Sequence, residues 1–316
     1  MTFAASTRDH GGGIDAAVAR WGGERAGWLD LSTGINPAPY PVGQIAPDAW
    51  MALPDSGAME RLLSAARAFW SVPDAASIIA APGASALIAR LPGLMPPGRV
   101  HIPGPTYNEH AAAFAAAGHV MVDDPAAPVC VMVHPNNPDG RVWVDAGIGG
   151  RALSIIDESF CDVMPEQSHI ADAAAPGVII LKSFGKFWGL AGLRLGFAIG
   201  PADLIAPLRE AVGPWPVSGP ALQIGAEALA DPAWAAATRV RLAADADRLD
   251  RLLVAKGARV LGGTTLFRLY AVEDAAGWQD RLARGHVWSR RFDYARGWLR
   301  LGLPAPGRWA QLEAAL

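Results

Sequence analysis

The stretch at residues 183–197, "SFGKFWGLAGLRLGF", places a serine, a lysine and an arginine in a glycine-rich segment that ends in an apolar run. Ser183 comes three positions before Lys186, and Arg194 follows that lysine by eight. Only 18% of the 316 residues are charged, so these polar groups need a local explanation. A lysine amine can form an imine with an aldehyde, and serine and arginine side chains bind phosphate. The stretch therefore predicts a site for one small molecule that carries both groups.

Short apolar runs surround this stretch and alternate with helical patterns as far as about residue 200. Strands are predicted at 77–81, 99–103, 129–135, 153–159, 178–184 and 193–200, and a helix at 107–118. Runs of this length that are apolar throughout are typical of a sheet covered on both faces. Their alternation with helices predicts an α/β domain with a mostly parallel sheet.

The pattern changes beyond residue 201. A long amphipathic helix is predicted at 231–257 with Gly257 at its C-terminal cap, followed by a strand at 265–272 and a helix near 274–285. We therefore expect three parts: residues 1–40 packing on the lobes, a large cofactor-binding domain at 41–205 and a small α+β domain at 206–316.

Composition excludes several functional classes. A net charge of −3 gives no reason to expect nucleic acid or an anionic membrane as partner. Cys130 and Cys161 lack the spacing of metal ligands and are expected to be core thiols in a reducing cytoplasm, so no metal is predicted. The first residues lack the pattern of a signal peptide, and the most apolar region is interrupted by proline, glycine and Arg90.

Polar groups recur just after the predicted strands, at the ends where ligands bind in parallel sheets. Ala84 and Ser85 follow the strand at 77–81, Asn137 follows that at 129–135, and Asp157 ends the run at 153–157. A helix start can bind phosphate through its backbone amides. A buried carboxylate can keep a ring nitrogen protonated. With Ser183, Lys186 and Arg194, these groups predict pyridoxal 5'-phosphate as cofactor.

The spacing S-x-x-K-x7-R-x-G, with "NNPDG" at 136–140 and "DESF" at 157–160, resembles the fold-type I pyridoxal-phosphate enzymes, the aspartate aminotransferase superfamily. The resemblance implies that superfamily's two-domain fold, a homodimer, and defined roles for the site. Lys186 would bind the cofactor aldehyde, Asp157 its ring nitrogen and Asn137 its ring hydroxyl, while Tyr107 would stack on the ring. The predicted catalytic residues are Lys186, Asp157 and Tyr107; the cofactor-binding residues are Ala84, Ser85, Tyr107, Asn137, Asp157, Ser183, Lys186 and Arg194.

Two further stretches, "HGGGIDAAVARWG" at 10–22 and "LDLSTGINP" at 29–37, resemble the threonine-phosphate decarboxylases of cobalamin biosynthesis. That branch implies a small phosphorylated amino acid as substrate: L-threonine O-3-phosphate would lose CO2 to give (R)-1-aminopropan-2-yl phosphate. Arg300 would bind the α-carboxylate and His10 the phosphate. The predicted substrate-binding residues are His10, Gly34, Asn137, Arg290 and Arg300.

Three alternatives remain open. Histidinol-phosphate or related aminotransferases share the core motifs, but they usually carry Tyr where this chain has Phe160. A cofactor-binding transcription factor would need a basic DNA-binding segment, and a non-catalytic relative would have lost Lys186 or Asp157.

The chain also departs from the superfamily's pattern. The stretch from Asn137 to Asp157 is short, which predicts a trimmed or missing helix on the sheet. Leu53 stands where many relatives carry a Tyr that reaches the partner's phosphate, and His286 stands where a Gly is usual. Lys182, His101, His110, His119 and His134 are interpreted as structural, and Glu158 is expected to make a local ion pair or hydrogen bond.

Overall fold

The computed structural model describes residues 10–144 and 147–316. The helices are α1 Ile14–Trp21, α2 Pro47–Met51, α3 Ser56–Trp70, α4 Ala84–Ile88, α5 Asn108–Ala116, α6 Ala202–Val212, α7 Gly219–Leu229, α8 Pro232–Ala255, α9 Ala275–Arg284 and α10 Trp309–Ala315. The strands are β1 Leu29–Asp30, β2 Ser77–Ala81, β3 Arg99–His101, β4 Val120–Met121, β5 Val129–Val133, β6 Leu153–Asp157, β7 Val178–Ser183, β8 Gly196–Gly200, β9 Arg259–Thr264, β10 Phe267–Ala271, β11 Val287–Trp288, β12 Arg290–Phe292 and β13 Ala295–Gly302.

The large sheet has the order β2-β8-β7-β6-β5-β3-β4 in the described part of the chain. Strands β4, β3, β5, β6 and β7 run parallel to one another, whereas β8 runs antiparallel to both β7 and β2. The predicted mostly parallel α/β sheet is confirmed. Gly196, where β8 begins, pairs with Ser183 at the end of β7 and with Ala81 at the end of β2. The ends of several strands, each followed by polar residues, therefore lie together at one edge of the sheet.

The central strands are buried on both faces, as their apolar composition predicts. Ile155 of β6 and its partner Ile179 of β7 pack into the core on one face, while Ile156 and Ile180 pack on the other. All four side chains are fully buried, and each such burial stabilises the fold by about 1.5–3 kcal/mol. The sheet is therefore a rigid platform for the residues at its edge.

The connection from β5 to β6 contains no helix in its described residues, 134–144 and 147–152, as the short spacing predicts. Trp143 is one of the residues of this connection that pack on the sheet. Its indole Nε1 donates to Val133 O at 3.0 Å, and the guanidinium of Arg141 lies 4.1 Å from its ring centroid.

The C-terminal part carries an antiparallel sheet of order β9-β10-β13-β12. The predicted long helix is α8, and Gly257 follows it with φ of 91°, a conformation that favours glycine. Strand β9 was not predicted from the sequence because Gly262 and Gly263 interrupt its apolar pattern. Helix α6 packs on β2 and β8 of the large sheet, and the domain boundary near residue 205 stays a prediction.

Two further sequence expectations concern the chain as a whole. Cys130 and Cys161 are free and buried, so the prediction of core thiols is confirmed. Within the two described ranges, no helix is both long and apolar enough to cross a membrane.

Candidate active site

Two adjoining cavities lie at the carboxyl edge of the large sheet. The first, of about 120 Å³, is lined by every predicted cofactor-binding residue, and the second, of about 360 Å³, by every predicted substrate-binding residue. Four residues line both: Tyr107, Asn137, Phe160 and Lys186. The fold therefore brings together residues from position 10 to position 300 and leaves Lys186 between the two groups. Their individual roles stay predictions.

One end of the first cavity has the chemistry of a phosphate site. The hydroxyl-bearing residues Ser85 and Ser183 line it together with Arg194. Gly83 has φ of 87°, a backbone conformation that L side chains rarely adopt, and a Cβ there would lie 2.7 Å from the Arg194 guanidinium, so glycine leaves room for that side chain. Helix α4 has just five residues, so its dipole contributes little to binding an anion. Serine hydroxyls and a guanidinium are left as the main anion-binding groups.

The sequence placed Arg194 in the strand predicted at 193–200, but in the structure this residue lies before the strand. It has φ of 53° and follows a 3₁₀ turn at Ala191–Leu193, and β8 starts two residues later. The left-handed backbone ends the turn, and the guanidinium donates to Ala191 O at 3.1 Å while lining the cavity. The strained residue therefore belongs to the site and not to the sheet.

Asp157 is a buried carboxylate at the end of β6. His110 Nε2 lies 2.8 Å from its Oδ2, and the Ser159 hydroxyl and N–H donate to its Oδ1 at 2.5 and 3.0 Å. Burial acts to raise the pKa of Asp157, but the His110 and Ser159 contacts outweigh it and hold that pKa below its usual value. Asp157 thus stays ionised where a protonated ring nitrogen would need a partner.

His110 is the residue of this site that the sequence interpretation missed. It was interpreted as structural, and its buried ring contacts the Asp157 carboxylate, a pairing that the sequence interpretation did not include. The available signal was its position three residues after Tyr107, since residues three apart share a face where α5 begins. Tyr107 itself lines both cavities, and burial, with the nearby Asp157 charge, raises its pKa to about 12. Its phenol therefore stays protonated.

Lys186 extends from the loop after β7 with its Nζ 5.4 Å from the centroid of the Phe160 ring. Burial and the positive charge of Arg300 lower its pKa to about 8, against the opposing effect of Asp157. A substantial fraction of the amine is therefore neutral near physiological pH, and only the neutral amine attacks an aldehyde.

Lys182 has the opposite environment, although it lies only four residues before Lys186. Its Nζ is 2.5 Å from Glu158 Oε2 and 3.9 Å from Asp162 Oδ1. Burial alone would lower the pKa of Lys182, but the Glu158 and Asp162 charges raise it above its usual value. The interpretations of Lys182 and Glu158 are confirmed. The two lysines differ because Lys182 Nζ is paired directly with the Glu158 carboxylate, whereas at Lys186 burial and the Arg300 charge outweigh the Asp157 charge.

The second cavity carries two arginines on neighbouring strands. Arg290 of β12 pairs in register with Arg300 of β13, so both side chains stand on the face that lines this cavity. Arg291 is exposed and lies 3.5 Å from Asp293, so of these two adjacent arginines only Arg290 faces the cavity. Two guanidinium groups on one cavity wall are donors that a carboxylate or a phosphate can bind.

The matches to known proteins agree with this geometry. Residues 123–316 match the family model for aminotransferase class I and II. The chain belongs to this family. Threonine-phosphate decarboxylase from Pseudomonas aeruginosa is 39% identical over 98% of this chain and 97% of its own length. Threonine-phosphate decarboxylase from Sinorhizobium sp is 40% identical over 93% of this chain and 92% of its own. Among solved structures, histidinol-phosphate aminotransferase from Sinorhizobium meliloti, in complex with pyridoxal-5'-phosphate, superposes with a TM-score of 0.79 at 20% identity, covering 100% of this chain and 97% of that one.

In this family member, Arg300 is almost fully buried and oriented by the N-terminal segment. Its Nη2 donates to Ser32 O at 2.6 Å, and its Nη1 donates to Asn137 Oδ1. Asn137 is therefore joined to the arginine of the second cavity while it also lines the first.

His10 is tied to the site by its neighbours in sequence and space. Its Nε2 lies 3.0 Å from Glu109 Oε1. The Gly12 N–H donates to Ser32 Oγ at 2.6 Å, and the Trp288 indole donates to Gly12 O at 2.9 Å. The segment at 10–12 thus lies along the wall of the second cavity.

Gly34 and Phe160 form the side of the second cavity next to Lys186. A Cβ on Gly34 would lie 2.8 Å from the rings of both Phe160 and Phe267, so the backbone there packs directly on the two aromatic rings. Phe160 is buried and contacts Phe267 edge-on, with centroids 5.0 Å apart. The Phe160 ring cannot form a hydrogen bond with a ligand in the first cavity.

Three other buried residues approach the arrangement of a metal site. Donor atoms of His134, Glu158 and Cys161 all lie within 4.8 Å of one another. His134 Nδ1 accepts from the Trp143 N–H and its Nε2 lies 2.7 Å from Gln167 O, so both ring nitrogens are already bonded. Burial raises the pKa of the Cys161 thiol, which disfavours the thiolate. Because these groups already have partners within the protein, we interpret the cluster as part of the core.

Proposed function

We propose that the protein is a pyridoxal-phosphate-dependent decarboxylase that converts L-threonine O-3-phosphate to (R)-1-aminopropan-2-yl phosphate and CO2. The observation that carries the proposal is the pair of inward arginines, Arg290 and Arg300, in the cavity that opens onto Lys186. A substrate with one carboxylate and one phosphate supplies the two anions that this pair and His10 can bind. The two relatives named threonine-phosphate decarboxylase support the same reading.

The first cavity fits pyridoxal phosphate on the chemistry of its donors. Ser85, Ser183 and Arg194 would hold the phosphate, Asp157 the ring nitrogen and Lys186 the aldehyde. When bound, this cofactor accepts the electrons released at the substrate's α-carbon. The ionised Asp157 retains a proton on the ring nitrogen, which keeps the ring an effective acceptor.

Reaction specificity follows from which bond at the α-carbon stands perpendicular to the cofactor ring. Arg300, fixed by Ser32 and Asn137, would bind the substrate carboxylate bidentately and so select the bond to CO2. Arg290 and His10 would hold the phosphate. The carbon that loses CO2 must then gain a proton, and Lys186 Nζ, with a pKa of about 8, can carry one at that position.

A homodimer in the cytoplasm is part of the proposal. Trp50, Met51 and Leu53 are 67%, 76% and 68% exposed beside a groove of about 1170 Å³ between α2, α3 and α7. A large exposed apolar patch is typical of an interface. Leu53 would then pack at the subunit contact where relatives place a Tyr. Light scattering after size exclusion should give twice the chain mass of 33.1 kDa, and the mass of a single chain would contradict the proposed homodimer.

The reaction is tested by product analysis of the purified protein with pyridoxal phosphate and L-threonine O-3-phosphate, with and without 2-oxoglutarate. Release of CO2 and an aminopropanol phosphate without 2-oxoglutarate is the expected result. Turnover that requires 2-oxoglutarate and forms glutamate would make the protein an aminotransferase and overturn the proposal. Lys186→Met is the control: it should abolish turnover and the visible absorbance of the lysine-bound cofactor.

A further inference from the structure

The loop that carries Lys186 is held by the N-terminal segment at 36–40. The Asn36 N–H donates to Lys186 O at 2.9 Å, and Asn36 Nδ2 donates to Phe187 O at 2.8 Å. The Tyr40 N–H donates to Trp188 O at 2.9 Å. Three successive carbonyl groups, starting at the lysine itself, therefore bond to one short segment. These bonds restrict the backbone from which the lysine side chain projects.

The end of the same loop depends on close approach between the two segments. Gly189 has φ of 70°, and its N–H donates back to Lys186 O at 3.2 Å. A Cβ at Gly189 would lie 2.7 Å from Asn36 O and 2.7 Å from Pro39 Cα. The turn thus requires glycine both for its backbone angle and for the contact with Asn36.

Asn36 is in turn oriented from the long helix α8. Its side chain is 1% exposed, and its Oδ1 accepts from the Ala38 N–H at 3.1 Å and from Arg241 Nη2 at 2.6 Å. Arg241 Nη1 lies 3.2 Å from Asp245, one turn further along α8. Because a guanidinium donor makes a stronger bond than a neutral one, Arg241 fixes which way the Asn36 amide faces. That orientation directs the amide nitrogen at Phe187 O.

We propose that Asn36 and Arg241 are positioning residues that set the backbone of Lys186 and thereby the reach of its amine. The inference rests on the proposed function in taking Lys186 as the lysine that binds the cofactor. Neither Asn36 nor Arg241 is among the described residues that line the two cavities, so both act through the loop and not on a ligand. The arrangement connects α8 to the reactive lysine across 205 positions of sequence.

Arg241→Gln is the first test, because the side chain is partly exposed and its loss leaves the core intact. A misplaced reacting group costs up to about a hundredfold in rate, so we expect kcat to fall by about ten- to a hundredfold. The rate at which cofactor-free protein captures pyridoxal phosphate should fall similarly, with KM and the melting temperature nearly unchanged. Arg241→Lys keeps a cationic donor and should restore part of both rates.

Two further variants control for indirect effects. Arg248→Gln removes an exposed pair with Glu313 at 2.7 Å on the same helix and should leave both rates at the wild-type level. Asn36→Asp keeps the acceptor for Arg241 but removes the donor to Phe187 O, so its capture rate should also fall. In Arg241→Gln, amide hydrogen exchange at Asn36 and Tyr40 should accelerate.

The outcomes separate the two proposals. If Lys186→Met abolishes the cofactor's visible band while Arg241→Gln captures cofactor at the wild-type rate, the positioning role is wrong and the cofactor site stands. Equal losses in Arg241→Gln and Arg248→Gln would also overturn it, since they would indicate a general effect on α8. If Lys186→Met leaves the band unchanged, both proposals fail together.

Discussion

Replacing Lys186 by methionine should stabilise the protein when cofactor is absent. Burial, assisted by the charge of Arg300, lowers the pKa of Lys186 from 10.5 to about 8. This difference between the unfolded and folded chain corresponds to about 3 kcal/mol of folding free energy at pH 7. Methionine has a similar length and no charge, so it fills the same space without that cost. We expect the variant to be more stable by up to about 3 kcal/mol.

The gain has a defined pH dependence. Between about pH 8 and pH 10.5, the unfolded chain keeps a proton on Lys186 that the folded chain has released. The unfolded state then binds more protons, so wild-type stability rises with pH across this window. The advantage of Lys186→Met should therefore be complete below pH 8 and absent above pH 10.5.

Urea unfolding followed by tryptophan fluorescence, at pH 7 and at pH 10, measures the effect. Lys182→Met is the matched control with the opposite sign, because it leaves Glu158 buried without its partner and should destabilise by about 3–5 kcal/mol. If Lys186→Met is no more stable than the wild type at pH 7, or if its gain in stability is the same at pH 10, then burial of the charged Lys186 does not destabilise the folded protein and the argument is refuted.

Three more predictions concern the walls of the site. Gly34→Ala pushes a methyl group into the Phe160 ring; it should lower stability by about 1–3 kcal/mol in thermal melts and raise KM. His110→Phe removes the contact that lowers the pKa of Asp157, so cofactor affinity measured by absorbance titration should fall by about tenfold; an unchanged affinity would mean the contact is dispensable. Arg290→Gln removes a charged donor from the wall of the second cavity, so KM for the phosphorylated substrate should rise by about tenfold; an unchanged KM would contradict a role in substrate binding.

The strand-and-helix pattern and the motif around Lys186 were readable from the sequence because both depend on local spacing. Alternating apolar runs predict a covered sheet, and strand ends predict where Asp157 and Ser183 meet. The same local logic failed at Arg194, where a left-handed residue ends a turn before the strand. It also failed at β9, where two glycines obscure the apolar pattern.

The sequence by itself determined the family motifs, the short β5–β6 connection and the candidate residues of both cavities. Only the tertiary structure decided that His110 faces Asp157, that Arg290 stands opposite Arg300, and that Arg241 orients Asn36 beneath Lys186. The physical reason is that strand register and helix packing, which depend on the whole core, set the contacts between distant residues. Chain spacing fixes only neighbours within a turn or a strand.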